Sequence, residues 1–214
     1  MKIFNFLKFR ILNEGIFIRE KSDTTFHQKS DWKSARIVGI SILLMAVITG
    51  FSFPALGTLI AGIGFACVFL LDILVSFGIL KYHKKQKPLL AKTSSLLRLI
   101  YTGILGVAVA YLFGGSLQMF NKIWGVGLIS FGLHLITLGF LFNNNEGKNW
   151  INLIIKFLLI VAGIGYVILY LGILLVQNPK QFGALIESIF LIPMILGEVF
   201  YAIWMLLNGG KQCK

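Results

Sequence analysis

The sequence predicts an all-α fold, a polytopic integral membrane bundle of six transmembrane helices with both termini in the cytoplasm. The composition, the long uncharged runs and the placement of the basic residues predict it. The chain has 214 residues, of which 57% are hydrophobic and only 13% are charged. Soluble domains average about 45–50% apolar and about 25% charged residues. A soluble fold is therefore excluded, and no separate soluble domain is expected.

The uncharged runs define the helices, because a helix needs about 20 predominantly apolar residues to cross the hydrocarbon core. Between Ile37 and Leu80 the only charged residue is Asp72, and this run is long enough for two spans. The stretch at 52–62 contains a proline and two glycines without any charge, as expected of a short turn between antiparallel helices. We predict spans at about 37–54, 60–80, 96–113, 123–142, 151–176 and 184–208.

The basic residues predict the orientation of the bundle. Of the 20 Lys and Arg residues, seventeen precede span one, follow spans two and four, or lie in the C-terminal tail. Only Lys122 and Lys180 fall on the other side, and Lys156 lies inside span five. Positive residues concentrate on the cytoplasmic side of membrane proteins, so both termini are predicted to face the cytoplasm.

This topology also explains the net charge of +12, so no nucleic-acid partner is predicted. The lipid bilayer is the predicted partner, and anionic headgroups could bind the basic N-terminal arm (1–33) and the 81–98 loop. The arm begins MKIFNFLKFRIL, a pattern compatible with either an interfacial amphipathic helix or a loosely ordered arm. The six-span domain covers 34–210, a cytoplasmic tail covers 211–214, and the sequence does not define the oligomeric state.

Four ionisable residues inside the predicted spans form the candidate functional site. Charges within a bilayer are costly, usually face the bundle interior and mark functional positions. The helical rise places Asp72 and His134 about 13 Å, and Glu198 about 15 Å, from the cytoplasmic ends of their spans. Arg98 begins span three near the boundary, and its long side chain can reach inward. The four residues are thus expected in one layer of the cytoplasmic leaflet, open or able to open toward the cytoplasm.

The chemistry of this layer follows from its side chains. Arg98 can hold a carboxylate through a forked pair, and Asp72 is the natural partner. His134 can donate one ring hydrogen to Glu198 or Asp72 and present its other nitrogen to a cavity. Tyr101, one turn deeper than Arg98, adds a hydroxyl group. These five residues are the candidates for binding a polar ligand or relaying a proton in a small transporter or ligand sensor.

Two alternatives to a binding role stay open. A satisfied polar network can serve only to fix how the helices pack, as in a structural or interaction protein. An intramembrane enzyme is less expected, because neither H-E-x-x-H nor G-x-S-x-G occurs and no catalytic residue is assigned. A zinc site usually needs three protein ligands, and the spans hold a single histidine, so no metal or cofactor is predicted. His83 is expected to be a solvated loop residue, and Lys156 to reach the headgroups outside the layer.

Six segments of the chain resemble a known family. They are FGLHLITLGF (131–140), VAGIGY (161–166), LGEVFYAIWMLLNGG (196–210), ARIVG (35–39), LLDILVSFGIL (70–80) and LLRLIY (96–101). Over about 34–210 the chain resembles the bacterial membrane-protein family catalogued as domain of unknown function 4386. The resemblance implies a multi-pass protein of a bacterial cytoplasmic (inner) membrane, without an established activity, substrate or cofactor. It directs attention to Asp72, Arg98, His134, Tyr166, Glu198 and Trp204.

The chain departs from the family pattern at two points. The connection between spans one and two is shorter than is usual for the family. An acidic residue expected after GIGY is replaced by the apolar run VILYLG (167–172). No role for a charge is therefore expected at that point.

Overall fold

Each predicted span forms one α-helix. The structure, a computed structural model, describes residues 32–142, 150–176 and 178–209. The helices are α1 (Trp32–Ser52), α2 (Leu59–His83), α3 (Pro88–Phe113), α4 (Leu117–Leu141), α5 (Trp150–Leu175) and α6 (Pro179–Asn208). All six are long and apolar enough to cross a membrane, and the described ranges contain no strand. The predicted all-α bundle of six spans is confirmed, and the chain is a multi-pass membrane protein. The structure predicted for the N-terminal arm and the C-terminal tail lies outside the described residues.

α1 is helical from Trp32 instead of 37, and three other helices also begin at least five residues before the apolar runs predict. α3 begins at Pro88 instead of 96, α4 at Leu117 instead of 123, and α6 at Pro179 instead of 184. Proline is well suited to the first helical turn, because its missing N–H would have no partner there. Polar first turns thus extend the helices beyond the purely apolar segments. The predicted loop at 81–98 is therefore mostly helical, and only 84–87 connect α2 to α3.

Helices that are consecutive in the chain pack side by side from α2 to α6. α1 completes the bundle between α6 and α2, because its Gly39 lies against Ala202 and Leu206, and its Val38 against Gly78. A Cβ atom at Gly39 would lie 2.7 Å from the carbonyl oxygen of Ala202. The close approach of α1 to α6 therefore requires a glycine, as is common where membrane helices pack tightly.

The antiparallel helices give the bundle two ends. The basic face holds the start of α1, the α2–α3 connection and the end of α6, with Lys81, Lys84, Lys85 and Lys87 around it. Both ends of the six-helix domain meet there, where Gly209 lies against Ala35. The opposite face holds the turns from α1 to α2, from α3 to α4 and from α5 to α6.

Candidate functional site

Arg98 of α3 is the centre of a buried cluster contributed by four helices. Its side chain is 1% exposed, and Nε and Nη2 donate to Oδ1 of Asp72 at 2.8 and 2.7 Å. Nη1 donates to Oε1 of Glu198 at 2.6 Å and to Nε2 of His134 at 3.1 Å. Four of its five N–H groups are thus engaged. We term Asp72, Arg98, His134 and Glu198 the charged cluster, and the structure brings all four predicted residues together.

The hydrogen bonds of His134 define its tautomer. Arg98 has only donors, so Nε2 of His134 must accept, which leaves the ring proton on Nδ1. Nδ1 lies 2.8 Å from the carbonyl oxygen of Ser94, to which it donates, and 3.0 Å from the Ser94 hydroxyl. His134 is therefore neutral in this arrangement. The expectation that it contacts a carboxylate and presents a nitrogen to a cavity is wrong, because Arg98 engages one nitrogen and Ser94 the other.

Serines hold the charged cluster on the side of the basic face. Ser94 lies one turn before Arg98 on α3, and Ser76 lies one turn after Asp72 on α2. The Ser76 hydroxyl donates to the Ser95 carbonyl at 2.8 Å, and the Ser95 hydroxyl donates to the Ser76 carbonyl at 3.0 Å. These serines are not among the predicted site residues. Their spacing of one helical turn from Asp72 and Arg98 is the signal that could have found them.

Beyond the serines, side chains fill the bundle as far as the basic face. His83 of α2 and Tyr201 of α6 form a hydrogen bond of 3.1 Å. The rings of Phe142 and Trp204 pack edge to face with centroids 4.6 Å apart. All four side chains are buried. His83 is thus not the solvated residue expected from the sequence, because α2 extends to it and α6 covers it.

A cavity of about 540 Å³ lies on the other side of the charged cluster, toward the opposite face. Asp72, Arg98 and Glu198 line it, and the lining continues to Thr49 and Phe53 near the end of α1. The Glu198 side chain is 18% exposed, whereas those of Asp72 and Arg98 are 2% and 1% exposed. This volume is in the usual range for small-molecule sites. The lining of this cavity therefore lies on the side of the opposite face, whereas the predicted opening was expected on the side of the basic face.

The edge of the cavity reaches the surface between α1 and α6. Ala46 and Gly50 of α1 line the cavity and are exposed, as is Ile195 of α6. The close contact between the two helices involves Gly39 and Ala202, nearer the basic face. A molecule dissolved in the membrane could therefore enter the cavity from the side.

Aromatic rings form much of the remaining cavity surface. We term them the aromatic wall: Phe53, Phe65, Tyr101, Trp124, Phe131 and Tyr166. Ring centroids are 5.3 Å apart for Phe65 and Trp124, and 4.9 Å apart for Tyr101 and Phe131. Nε1 of Trp124 donates to the Tyr101 hydroxyl at 3.4 Å. Such ring pairs each contribute about 0.5–1.5 kcal/mol beyond their buried area, so the rings of the wall stabilise one another.

Arg98 lies deeper in the bundle than expected, whereas Lys156 lies outside the charged cluster, as expected. Arg98 lies well inside α3, because this helix begins at Pro88, and its guanidinium is buried in the bundle rather than near the boundary. Lys156 of α5 lies outside the charged cluster, with Nζ 5.9 Å from the ring centroid of Phe140. The cation that pairs with Asp72 and Glu198 is therefore the guanidinium of Arg98 and not the ammonium group of Lys156. Within the described ranges, no three His, Cys, Asp or Glu side chains are placed to hold a metal ion.

Comparison with known proteins supports the resemblance found in the sequence. A family model described as Domain of unknown function (DUF4386) matches residues 112–209. The resemblance to this family is confirmed over that range. The part of the chain that matches DUF4386 contains His134, Tyr166, Glu198 and Trp204, while Asp72 and Arg98 precede it.

A relative resembles a longer part of the chain. It is an uncharacterized protein of Archaeoglobus fulgidus, 26% identical over 155 residues, which are 72% of this chain and 86% of the relative. The relative is archaeal, so similarity to this chain is not confined to bacteria. No solved structure matches the chain.

Proposed function

We propose that this protein is a small membrane transporter or ligand sensor in which the charged cluster forms the polar end of the central cavity. The main support for the proposal is the position of Glu198 between Arg98 and the cavity. Its carboxylate is held by Arg98 at 2.6 Å, yet the side chain stays 18% exposed beside a cavity of about 540 Å³. An accessible carboxylate beside an open cavity is suited to contact a ligand, whereas a network that served only to pack helices would need no such access.

The proposed roles differ among the residues. Glu198 contacts the ligand, and Arg98 positions Glu198 through Nη1. Asp72 balances the charge of Arg98, and neutral His134 accepts from Nη1 and so fixes the guanidinium. Tyr101 contributes a hydroxyl group to the cavity surface. A proton relay would involve Glu198 rather than His134, whose two ring nitrogens are engaged.

Access of a small neutral thiol reagent to the cavity, from water or through the opening between α1 and α6, tests this proposal. Met45 of α1 lines the cavity, whereas the neighbouring Leu44 faces outward and is exposed on the lipid side. With Cys67 and Cys213 replaced by Ser, Met45→Cys should react with 2-hydroxyethyl methanethiosulfonate much faster than Leu44→Cys in lipid nanodiscs. A thiol that faces hydrocarbon ionises poorly, so Leu44→Cys is the matched control. Equally slow reaction at both positions would contradict a binding function for the cavity.

We also propose that the basic face lies in the cytoplasm, with the protein in the cytoplasmic membrane. The basic arm and the lysines near 81–92 would then contact anionic headgroups. In a bacterial host, a green fluorescent protein fused after Lys214 should fluoresce, and alkaline phosphatase fused there should be inactive. The reverse pair of results would overturn the orientation.

A further inference from the structure

We propose that the cavity binds an organic cation, an ammonium group on a small apolar body. The ammonium group would lie beside Glu198, and the apolar body would lie against the aromatic wall. This inference rests on the proposed function and names the chemical class of its ligand. Its support comes from the charge of the cluster, the rings of the cavity and the position of the opening.

The charged cluster is unbalanced. Arg98 contributes one positive charge, and it pairs with both Asp72 and Glu198. His134 contributes none, because its Nε2 accepts from Arg98. With both carboxylates ionised, one net negative charge faces the cavity, and apolar walls strengthen its field. A bound cation would balance this charge, whereas an anion would meet repulsion.

The aromatic wall provides the second part of a cation site. Cations are attracted to ring faces when they lie within about 6 Å of the centroid, and aromatic cages recognise quaternary ammonium groups in this way. One ring of the wall already contacts a cationic side chain, since Cζ of Arg98 lies 5.6 Å from the centroid of Phe131. Trp124 and Tyr166 add further rings to the same cavity surface.

The rest of the cavity favours an organic cation over an inorganic one. Calcium and magnesium ions require about six or more oxygen ligands, and Glu198 is the acid of the cluster with an exposed fraction above a few per cent. The other lining residues are largely aliphatic, among them Ile42, Val68 and Leu128. The opening between α1 and α6 would admit an apolar cation from the membrane.

Isothermal titration calorimetry in lipid nanodiscs tests the inference. The probe is phenyltrimethylammonium, and the charge-reversed probe of similar size is benzenesulfonate, with empty nanodiscs subtracted. The wild-type protein should bind the cation and not the anion. Glu198→Gln keeps an acceptor for Arg98 and leaves a balanced Asp72–Arg98 pair, so it should fold and bind the cation at least tenfold more weakly. Trp124→Leu should also weaken binding.

Glu187→Gln is the matched control, because Glu187 is an exposed acid on the same helix that does not line the cavity. It should bind the cation as the wild type does, and thermal unfolding should show that every variant is folded. Absent binding of the cation, equal affinity of Glu198→Gln and the wild type, or preference for benzenesulfonate would each overturn the inference. If Met45→Cys still reacts rapidly with the neutral thiol reagent, the proposed function survives that failure; if it does not react, both fail.

Discussion

The two halves of the bundle on either side of Arg98 are built differently. In the filled half, between the charged cluster and the basic face, Ser76, Ser95 and Tyr201 form hydrogen bonds between helices, and the rings of Phe142 and Trp204 pack edge to face. In the cavity half, toward the opposite face, aromatic rings surround open space and Glu198 is accessible. The same six helices cross both halves. The side chains, and not the fold, therefore make the two halves different.

The largest effect is expected from Arg98→Met, because Arg98 joins the two halves. The substitution leaves the carboxylates of Asp72 and Glu198 without their cation. Removing one partner of a buried ion pair typically costs about 3–5 kcal/mol, so we expect a large loss of folded protein, measured by thermal unfolding and size-exclusion chromatography in detergent. Lys92→Met, an exposed position on the same helix, should unfold like the wild type.

A double variant tests the reason for that loss. Replacing Asp72 by Leu together with Arg98→Met removes both charges of the more buried ion pair, and Glu198 keeps access to the cavity. The double variant should be more stable than Arg98→Met alone, since an unpaired buried charge is the costly state. Equal damage in the two variants would mean that shape, rather than charge, makes Arg98 the centre of the cluster.

The convergence of the charged cluster could be predicted from the sequence, and the reason is physical. Lipid excludes charges, so Asp72, His134 and Glu198, at similar depths on different helices, are expected to face one interior. The six helices could also be predicted, because long uncharged runs leave no other fold in a bilayer. Both predictions depend on composition and on the helical rise alone.

The pairing of Arg98 with Asp72 was also predicted, but the other contacts within the cluster could not be predicted in this way. The partner of His134 is a backbone carbonyl, at Ser94, and any residue would supply the same group. The depth of Arg98 depends on α3 beginning at Pro88, outside the apolar run. The direction of the cavity depends on Phe142 and Trp204 filling the other side. These features follow from helix rotation and side-chain packing, which cannot be deduced from the depth of a residue along its helix.

An intermediate effect is expected at His134, which supports Arg98 without lining the cavity. His134→Leu is of similar size but loses the bonds to Arg98 and Ser94, and we expect a loss of about 2–3 kcal/mol. His134→Asn retains an N–H group near Ser94 and should lose less. Chemical unfolding measures both, and the affinity of His134→Asn for phenyltrimethylammonium should stay within a few-fold of the wild type. If His134→Leu were the more stable variant, these bonds would not hold the cluster.

The smallest effect is expected from Ser76→Ala, deep in the filled half. It removes the hydroxyl that donates to the Ser95 carbonyl at 2.8 Å, while the Ser95 hydroxyl keeps its acceptor. Hydrogen bonds between membrane helices average about 0.6 kcal/mol. The midpoint temperature of thermal unfolding should therefore fall by a few degrees at most. Ser188→Ala, an exposed serine that bonds only within its own helix turn, should show no shift. Binding of phenyltrimethylammonium should be unchanged in both variants, because neither serine lines the cavity. A Ser76→Ala protein of normal stability with weakened binding would show that the two halves are coupled, and the separation of packing from binding would then fail.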